Sequence, residues 1–114
     1  MTIRELPLKS FKNRAELREW LSVYHGKSEG LRVRLFKKAS RKPSITFHDL
    51  LEEGLCFGWS ESKRLSYDAD SYIQIFTPRR KKTTTSARNK ALVEKLIDSG
   101  DMTQSGLDAL CWAA

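Results

Sequence analysis

Residues 59–77 read WSESKRLSYDADSYIQIFT, and this stretch decides the fold. Apolar residues recur in phase along Trp59–Tyr67, which is typical of a half-buried strand. The Asp- and Ser-rich residues 68–71 predict a turn. Tyr72–Thr77 predicts a second strand, and Pro78 ends it. Because the two strands are joined by so short a turn, the sequence predicts an antiparallel hairpin.

A helix and a strand are predicted upstream of the hairpin. Asn13 is a good N-cap, and Glu16 follows three residues later, as in a capping box. Gly26 ends this helix, whose apolar stripe consists of Leu17, Trp20, Leu21 and Tyr24. Leu31–Lys37 alternates apolar and basic residues, which predicts a half-buried strand.

A second helix is predicted between this strand and the hairpin. Thr46 caps it and Gly58 ends it. Gly54 weakens the helix, and we interpret its missing side chain as room for close packing. Glu52 and Glu53 diverge as helical neighbours, and we expect them on an outward face.

Two helices are predicted after the hairpin. Ser86 caps the third helix, which ends at Gly100, and Thr103 begins the last one. The apolar side of the last helix consists of Leu107, Leu110, Cys111 and Ala114. The order α-β-α-β-β-α-α predicts an α+β fold, with a small antiparallel three-stranded sheet packed with about four helices. We expect a single domain over residues 1–114, with residues 1–12 as an extended lead-in.

The same stripes predict which side chains are mostly buried. They are Leu17, Trp20, Leu21, Leu35, Leu51, Leu55, Phe57, Trp59, Ile73, Ile75, Leu96 and Leu110.

Composition narrows the class of protein. No stretch is long and apolar enough for a membrane span, and the N-terminus lacks the apolar core of a signal peptide. The two cysteines, Cys56 and Cys111, are too few for a disulfide scaffold or a zinc knuckle. We therefore expect a soluble cytoplasmic domain with no metal and no cofactor.

The net charge of +7 is distributed unevenly. Gly30–His48 and Ser71–Val93 contain no acidic residue, and together they hold 12 of the 21 Lys and Arg residues. A segregated basic surface attracts anions and polyanions. A solvated basic surface with no partner is the plainer interpretation.

The second acid-free segment is the predicted anion-binding site. Four consecutive cations precede a helix N-terminus, where free N–H groups and the helix dipole favour an anion. The candidate residues are Arg79, Arg80, Lys81, Lys82, Ser86, Arg88 and Lys90. The aromatic residues Trp59, Tyr72 and Phe76 are candidates for a pocket wall or a stacking surface, and core packing is the alternative for Trp59.

A catalytic interpretation depends on Cys56. Its thiol would need His25 or His48 as a base and Glu61 as an orienting group. A buried cysteine among Leu, Phe and Trp is instead a small hydrophobe with a raised pKa. We therefore predict no catalytic residue.

Several stretches together resemble the YdeI/OmpD-associated family, whose members are often labelled bacteriocin-protection proteins. The matching stretches are GLRVRLFKK at 30–38, LEEGLCFGW at 51–59, IFTPRR at 75–80, Ser86, Asn89, Leu96-Ile97, Gly100, Met102-Thr103 and Gly106. The resemblance implies a small α+β fold in a bacterial cytoplasmic protein linked to bacteriocin or stress protection. It implies no catalytic residues, because the family has no agreed ones.

Three functional hypotheses follow. The first is a non-enzymatic binding protein for an anionic partner. Nucleic acid is the favoured partner, and a phosphorylated ligand is the alternative. The second is a stress factor that binds an acidic partner protein through the same basic surface. The third is an enzyme that uses Cys56. The sequence leaves the oligomeric state open.

Overall fold

The hairpin predicted from residues 59–77 forms one side of a four-stranded sheet. The structure is a computed structural model that describes residues 5–79 and 87–110, with the backbone alone for residues 87–89. Its elements are β1 (Leu8–Lys9), α1 (Arg14–Tyr24), β2 (Leu31–Phe36), α2 (Phe47–Phe57), β3 (Trp59–Ser66), β4 (Ser71–Pro78), α3 (Ala87–Ser99) and α4 (Gln104–Ala109).

The α+β class is confirmed, but the predicted sheet lacks one strand. The order of strands is β1-β2-β4-β3, so β2 and β4 are the inner strands and β3 of the predicted hairpin is an edge strand. Strands β2, β4 and β3 are antiparallel neighbours, as predicted. β1 pairs in parallel with β2, which makes the sheet mixed.

The extra strand comes from the N-terminal lead-in. Leu8 lies opposite Arg32 in the parallel pair. The carbonyl of Pro7 accepts a hydrogen bond from the Arg32 amide at 2.8 Å, and the carbonyl of Leu6 accepts one from Arg32 Nε, also at 2.8 Å. A two-residue strand leaves no periodicity in a sequence, so pattern analysis misses it.

The helices cover one face of the sheet. Alternate residues of β2 (Leu31, Val33 and Leu35) are buried there together with Phe76 of β4, with apolar residues from α1, α2 and α3, and with Leu110 at the C-cap of α4. Of the predicted core residues, all except Trp20 and Leu51 are buried, and these two are half-buried against the same core. Ile73 and Ile75 belong to a smaller cluster, with Leu6 and Leu65.

The predicted helix ends at Asn13, Thr46 and Gly58 have capping contacts, but the capping box expected at Asn13 is incomplete, because Glu16 Oε1 accepts from the Lys12 amide at 2.8 Å. Asn13 Oδ1 accepts a hydrogen bond from the Glu16 amide at 3.0 Å. Thr46 and Asp49 form a reciprocal capping box, with each side chain accepting from the other residue's amide. Gly58 ends α2 in the left-handed region at φ +80°, where a glycine is favoured.

Gly54 allows α2 to lie close to the sheet. A Cβ at this position would lie 2.9 Å from Cε1 of Phe76 and 2.9 Å from the carbonyl oxygen of Trp59. The close packing expected at Gly54 is therefore present.

Glu52 and Glu53 lie inside the protein, so the prediction of an outward face is wrong. Their exposed fractions are 4 % and 0 %. The physical reason is that α2 is surrounded: it packs against α1, α3, α4 and β3. Burying carboxylates is costly unless they are paired and hydrogen-bonded.

Two arginines of α1 neutralise these carboxylates. Arg14 pairs with Glu52 through Nη1, and it donates to Glu53 Oε2 from Nη2 at 2.9 Å and from Nε at 3.1 Å. Arg18 Nη1 donates to Glu53 Oε1 at 3.1 Å, and its Nη2 donates to the carbonyl of Asp101 at 2.7 Å. The four charged groups connect α1, α2 and the loop before α4. We call them the buried ion cluster.

The buried ion cluster makes a testable prediction about stability. Arg14→Met removes a partner of both buried carboxylates, and we expect it to lower the free energy of unfolding by about 3 kcal/mol. Lys95→Met is the matched control, because Lys95 Nζ lies 4.0 Å from Glu52 but its side chain is 74 % exposed. The control should cost less than about 0.5 kcal/mol. Urea unfolding followed by tryptophan fluorescence measures both, and equal losses would contradict the role of Arg14.

Candidate functional site

The first acid-free segment surrounds a groove of about 660 Å³ at one end of the sheet. The groove lies between the end of β2, a turn of 3-10 helix at Lys38–Ser40, and the start of α2. We call it the basic groove, and its lining residues are Leu35, Phe36, Lys37, Lys38, Arg41, Lys42, Ser44, Ile45, Thr46, Phe47 and Tyr72.

Hydrogen bonds from the main chain and from the Ser44 side chain hold the segment that forms this groove. The Lys37 amide donates to the carbonyl of Asp70 at 2.7 Å, which ties the end of β2 to the hairpin turn. Ser44 Oγ accepts from the Phe36 amide at 3.1 Å and donates to the carbonyl of Ile45 at 2.8 Å. Both ends of the segment are therefore fixed to the sheet.

Arg41 adopts a backbone conformation that favours glycine. Its φ is +61°, and no other non-glycine residue in the described ranges has a positive φ. This conformation costs roughly 1–2 kcal/mol for a residue with a Cβ. Arg41 therefore adds a cationic side chain to the groove at a position where a glycine would be less strained.

The charge of the groove has one sign. Lys37, Lys38, Arg41 and Lys42 are exposed, and neither Asp nor Glu occurs among the described residues that line the groove. A fifth cation, Arg64 of β3, lies beside it, with its guanidinium carbon 4.3 Å from the ring centroid of Tyr72. Clustered cations without an acid raise the local concentration of anions.

Aromatic rings form part of the lining. Phe47, the first residue of α2, is 36 % exposed, and Tyr72 is half-buried. Arg64 also lies 5.9 Å from the ring of Phe47, and Lys42 Nζ lies 5.1 Å from the ring of Phe36. The basic groove therefore combines cations with ring faces.

Of the three predicted pocket-wall residues, Tyr72 lines this groove, and the other two do not. Trp59 is 1 % exposed, and its indole N–H donates to the carbonyl of His25 at 3.1 Å. Phe76 is fully buried, 5.0 Å from Trp59 between ring centroids. Both rings belong to the core, which closes them to a ligand.

The predicted anion-binding residues lie mostly outside the described part of the chain. Arg80, Lys81, Lys82, Ser86 and the side chain of Arg88 lie outside the described residues. Lys90 is exposed on α3. The Arg79 amide donates to the carbonyl of Gly58 at 3.0 Å, and its Nε is buried with no hydrogen-bond partner in the described part of the chain. Whether these residues share one surface stays a prediction.

The groups of the catalytic hypothesis have other partners. His25 Nδ1 donates to the carbonyl of Leu21 at 2.7 Å, and its Nε2 lies 3.1 Å from the hydroxyl oxygen of Ser105. His48 Nε2 lies 3.1 Å from Glu52 Oε2 in the buried ion cluster. In the described ranges, no group of His, Cys, Asp and Glu has the arrangement of a metal site.

Cys56 has the properties of a core residue. It is fully buried, and burial, with the negative charge of Glu53, raises its pKa to about 11, despite the opposing effect of Arg18. The thiolate is the reactive form of cysteine, so a raised pKa disfavours a nucleophilic role.

The state of Cys56 can be measured directly. In a Cys111→Ser variant, Cys56 is the sole thiol, and we expect a disulfide reagent at pH 7.5 to label it only as fast as the protein unfolds. The thiol of Cys56 has a higher pKa in the folded protein, about 11, than in the unfolded chain, about 9. The folded state therefore keeps its proton over this range, so the contribution of Cys56 to the free energy of unfolding is complete below pH 9 and is lost as the pH rises toward about 11. Labelling in the native state as fast as in urea would contradict this prediction.

In the described part of the chain, no helix has the length and apolar character to cross a membrane.

The fold and the groove thus define a small α+β domain with a basic, aromatic-lined cleft. The chain matches the family model of a domain of unknown function, DUF8412, over residues 9–109, and it belongs to that family. A search of curated proteins and a search of solved structures each gave no match.

The sequence prediction favoured the second acid-free segment, most of which lies outside the described residues, and it gave the basic groove no separate prediction. The signal for the basic groove was present: Lys37, Lys38, Arg41 and Lys42 fall between Phe36 and Phe47 with no acid among them. Arg64 gave no signal, because it comes from a distant strand.

Proposed function

We propose that this protein is a non-enzymatic binding protein for nucleic acid, which it holds through phosphates at the basic groove. The observation that carries the proposal is that Lys37, Lys38, Arg41 and Lys42 all line one concave surface whose described lining has no acid. Lysine and arginine side chains neutralise backbone phosphates and release counterions, which supplies sequence-independent affinity.

The shape of the site supports binding to an extended anion. The exposed lysines are flexible point charges that can contact successive phosphates of a nucleic-acid backbone. Arg41 and Arg64 add planar groups, and each can bind a phosphate with two hydrogen bonds. The described residues near the groove offer no nucleophile with an activating base. Binding therefore explains the arrangement better than catalysis.

The cellular setting comes from the sequence resemblance and stays a prediction. A relation to the YdeI/OmpD-associated family would place the protein in the bacterial cytoplasm, in a response to bacteriocins or stress. Membership of DUF8412 neither adds to this relation nor removes it.

The salt dependence of binding tests the proposal. A groove variant changes Lys37, Lys38, Arg41 and Lys42 to Gln, and a control variant changes the exposed Lys9, Lys12, Lys27 and Lys95 to Gln. Both variants lower the net charge of +7 by four. For wild type we expect log K against log salt to have a slope of about −4 on duplex DNA, or less on single strands.

The two variants separate a site from overall charge. We expect the groove variant to reduce the slope by about three, and the control variant by less than about one. Melting temperatures should be nearly unchanged, since exposed charges contribute little to stability. Equal losses in both variants would contradict a localised site, as would no binding of DNA or RNA at about 50 mM salt.

The second acid-free segment is tested in the same assay. If the predicted loop surface contributes, Arg79→Ala combined with Arg80→Ala should reduce the slope by about two and weaken binding similarly for all sequences. A lower melting temperature with an unchanged slope would make these residues structural.

A further inference from the structure

We propose that the basic groove binds single-stranded nucleic acid, with a base stacked against Tyr72 and Phe47 while the neighbouring phosphates contact the lysines. This inference rests on the proposed function and adds the class of nucleic acid and the mode of recognition. Its evidence is the arrangement of the rings, which phosphate binding alone does not explain.

Two aromatic rings line the basic groove. Phe47 and Tyr72 come from the start of α2 and the start of β4, and they meet at the same groove. Exposed aromatic side chains in a basic cleft stack on the bases of single strands, and each stacked base contributes about 1–3 kcal/mol. A duplex keeps its bases inside the helix, so it can use only the cations.

Arg64 extends this arrangement. Its guanidinium lies over the ring of Tyr72 at 4.3 Å and beside the ring of Phe47 at 5.9 Å. A planar guanidinium stacks on aromatic faces and adds a cation to the same surface. A base entering the groove therefore meets flat groups from two strands and one helix.

The floor of the groove suits an apolar ring. Leu35 and Ile45 line the groove and are 1 % and 2 % exposed, so the floor of the groove is apolar. The groove of about 660 Å³ falls within the 300–1,000 Å³ that is usual for sites that enclose a ligand group. It has room for a base with its sugar and phosphate.

Recognition in this groove should depend little on sequence. Ser44 Oγ is occupied by the Phe36 amide and the Ile45 carbonyl, and Thr46 Oγ1 accepts from the Asp49 amide. The Thr46 amide in turn donates to Asp49. The Ser44 hydroxyl and the Thr46 amide are thus engaged within the protein and do not read base edges, whereas stacking accepts any base.

The test compares three labelled oligomers of equal length by fluorescence anisotropy: a single-stranded RNA 12-mer, the same ribose-phosphate backbone without bases, and a duplex. We expect the single strand with bases to bind at least tenfold more tightly than the abasic backbone, since one stacked base contributes about that factor. The salt slope of the two single strands should be similar, because they carry the same phosphates.

Variants of the rings isolate the stacking contribution. Tyr72→Leu should weaken binding of the 12-mer about tenfold and leave its salt slope and the abasic affinity unchanged. Tyr67→Leu is the matched control, since Tyr67 is 49 % exposed but does not line the groove, and its affinity should equal that of wild type. Phe47→Leu repeats the test at a more exposed ring if the Tyr72 variant unfolds.

The outcomes separate this inference from the proposed function. If all three oligomers bind equally and the groove cations still set the salt slope, stacking is wrong and phosphate binding stands. If none of them binds, the proposed function fails as well. If uridine monophosphate competes at the same concentration as the 12-mer, the groove takes a free nucleotide, and the assignment to a strand is overturned.

Discussion

The pairing of Glu52 and Glu53 with Arg14 and Arg18 is the interaction on which the packing of this domain depends. Two adjacent carboxylates on the central helix cannot lie under three other helices unless cations compensate them. The arginines come from one side of α1, which fixes how α1 lies across α2. Arg18 also holds the Asp101 carbonyl, so the loop that leads to α4 follows from the same contact.

Local signals in the sequence predict local structure well in this protein. The caps at Asn13 and Thr46 and the left-handed glycine at Gly58 each depend on neighbours within a few residues, and each is present. The burial of Glu52 and Glu53 is different, because helical spacing shows which residues share a side but not how many sides are covered. Their arginine partners lie 35 or more positions away, and charge pairing over such a separation has no sequence pattern.

In the candidate site, too, the sequence predicts some features and the fold alone determines others. Acid-free segments and nearby aromatic residues pointed to a basic surface, and Tyr72 does line one. Trp59 has the same aromatic character, but the course of the chain places it inside the core against Phe76. Composition can reveal that a chain carries many cations near rings; only the fold decides which of those rings meet solvent.

The two-residue strand β1 affects how the edges of this sheet can pair with other chains. An open sheet edge is a template for strands of other chains, and proteins protect such edges by covering, bending or charging them. Leu8–Lys9 covers part of the β2 edge, while on β3 the pairing is interrupted between Glu61 and Arg64, next to the exposed Lys63. Both edges of the sheet are thus protected against pairing with a strand of another chain. We therefore expect the domain to resist edge-to-edge aggregation with extended segments of other proteins.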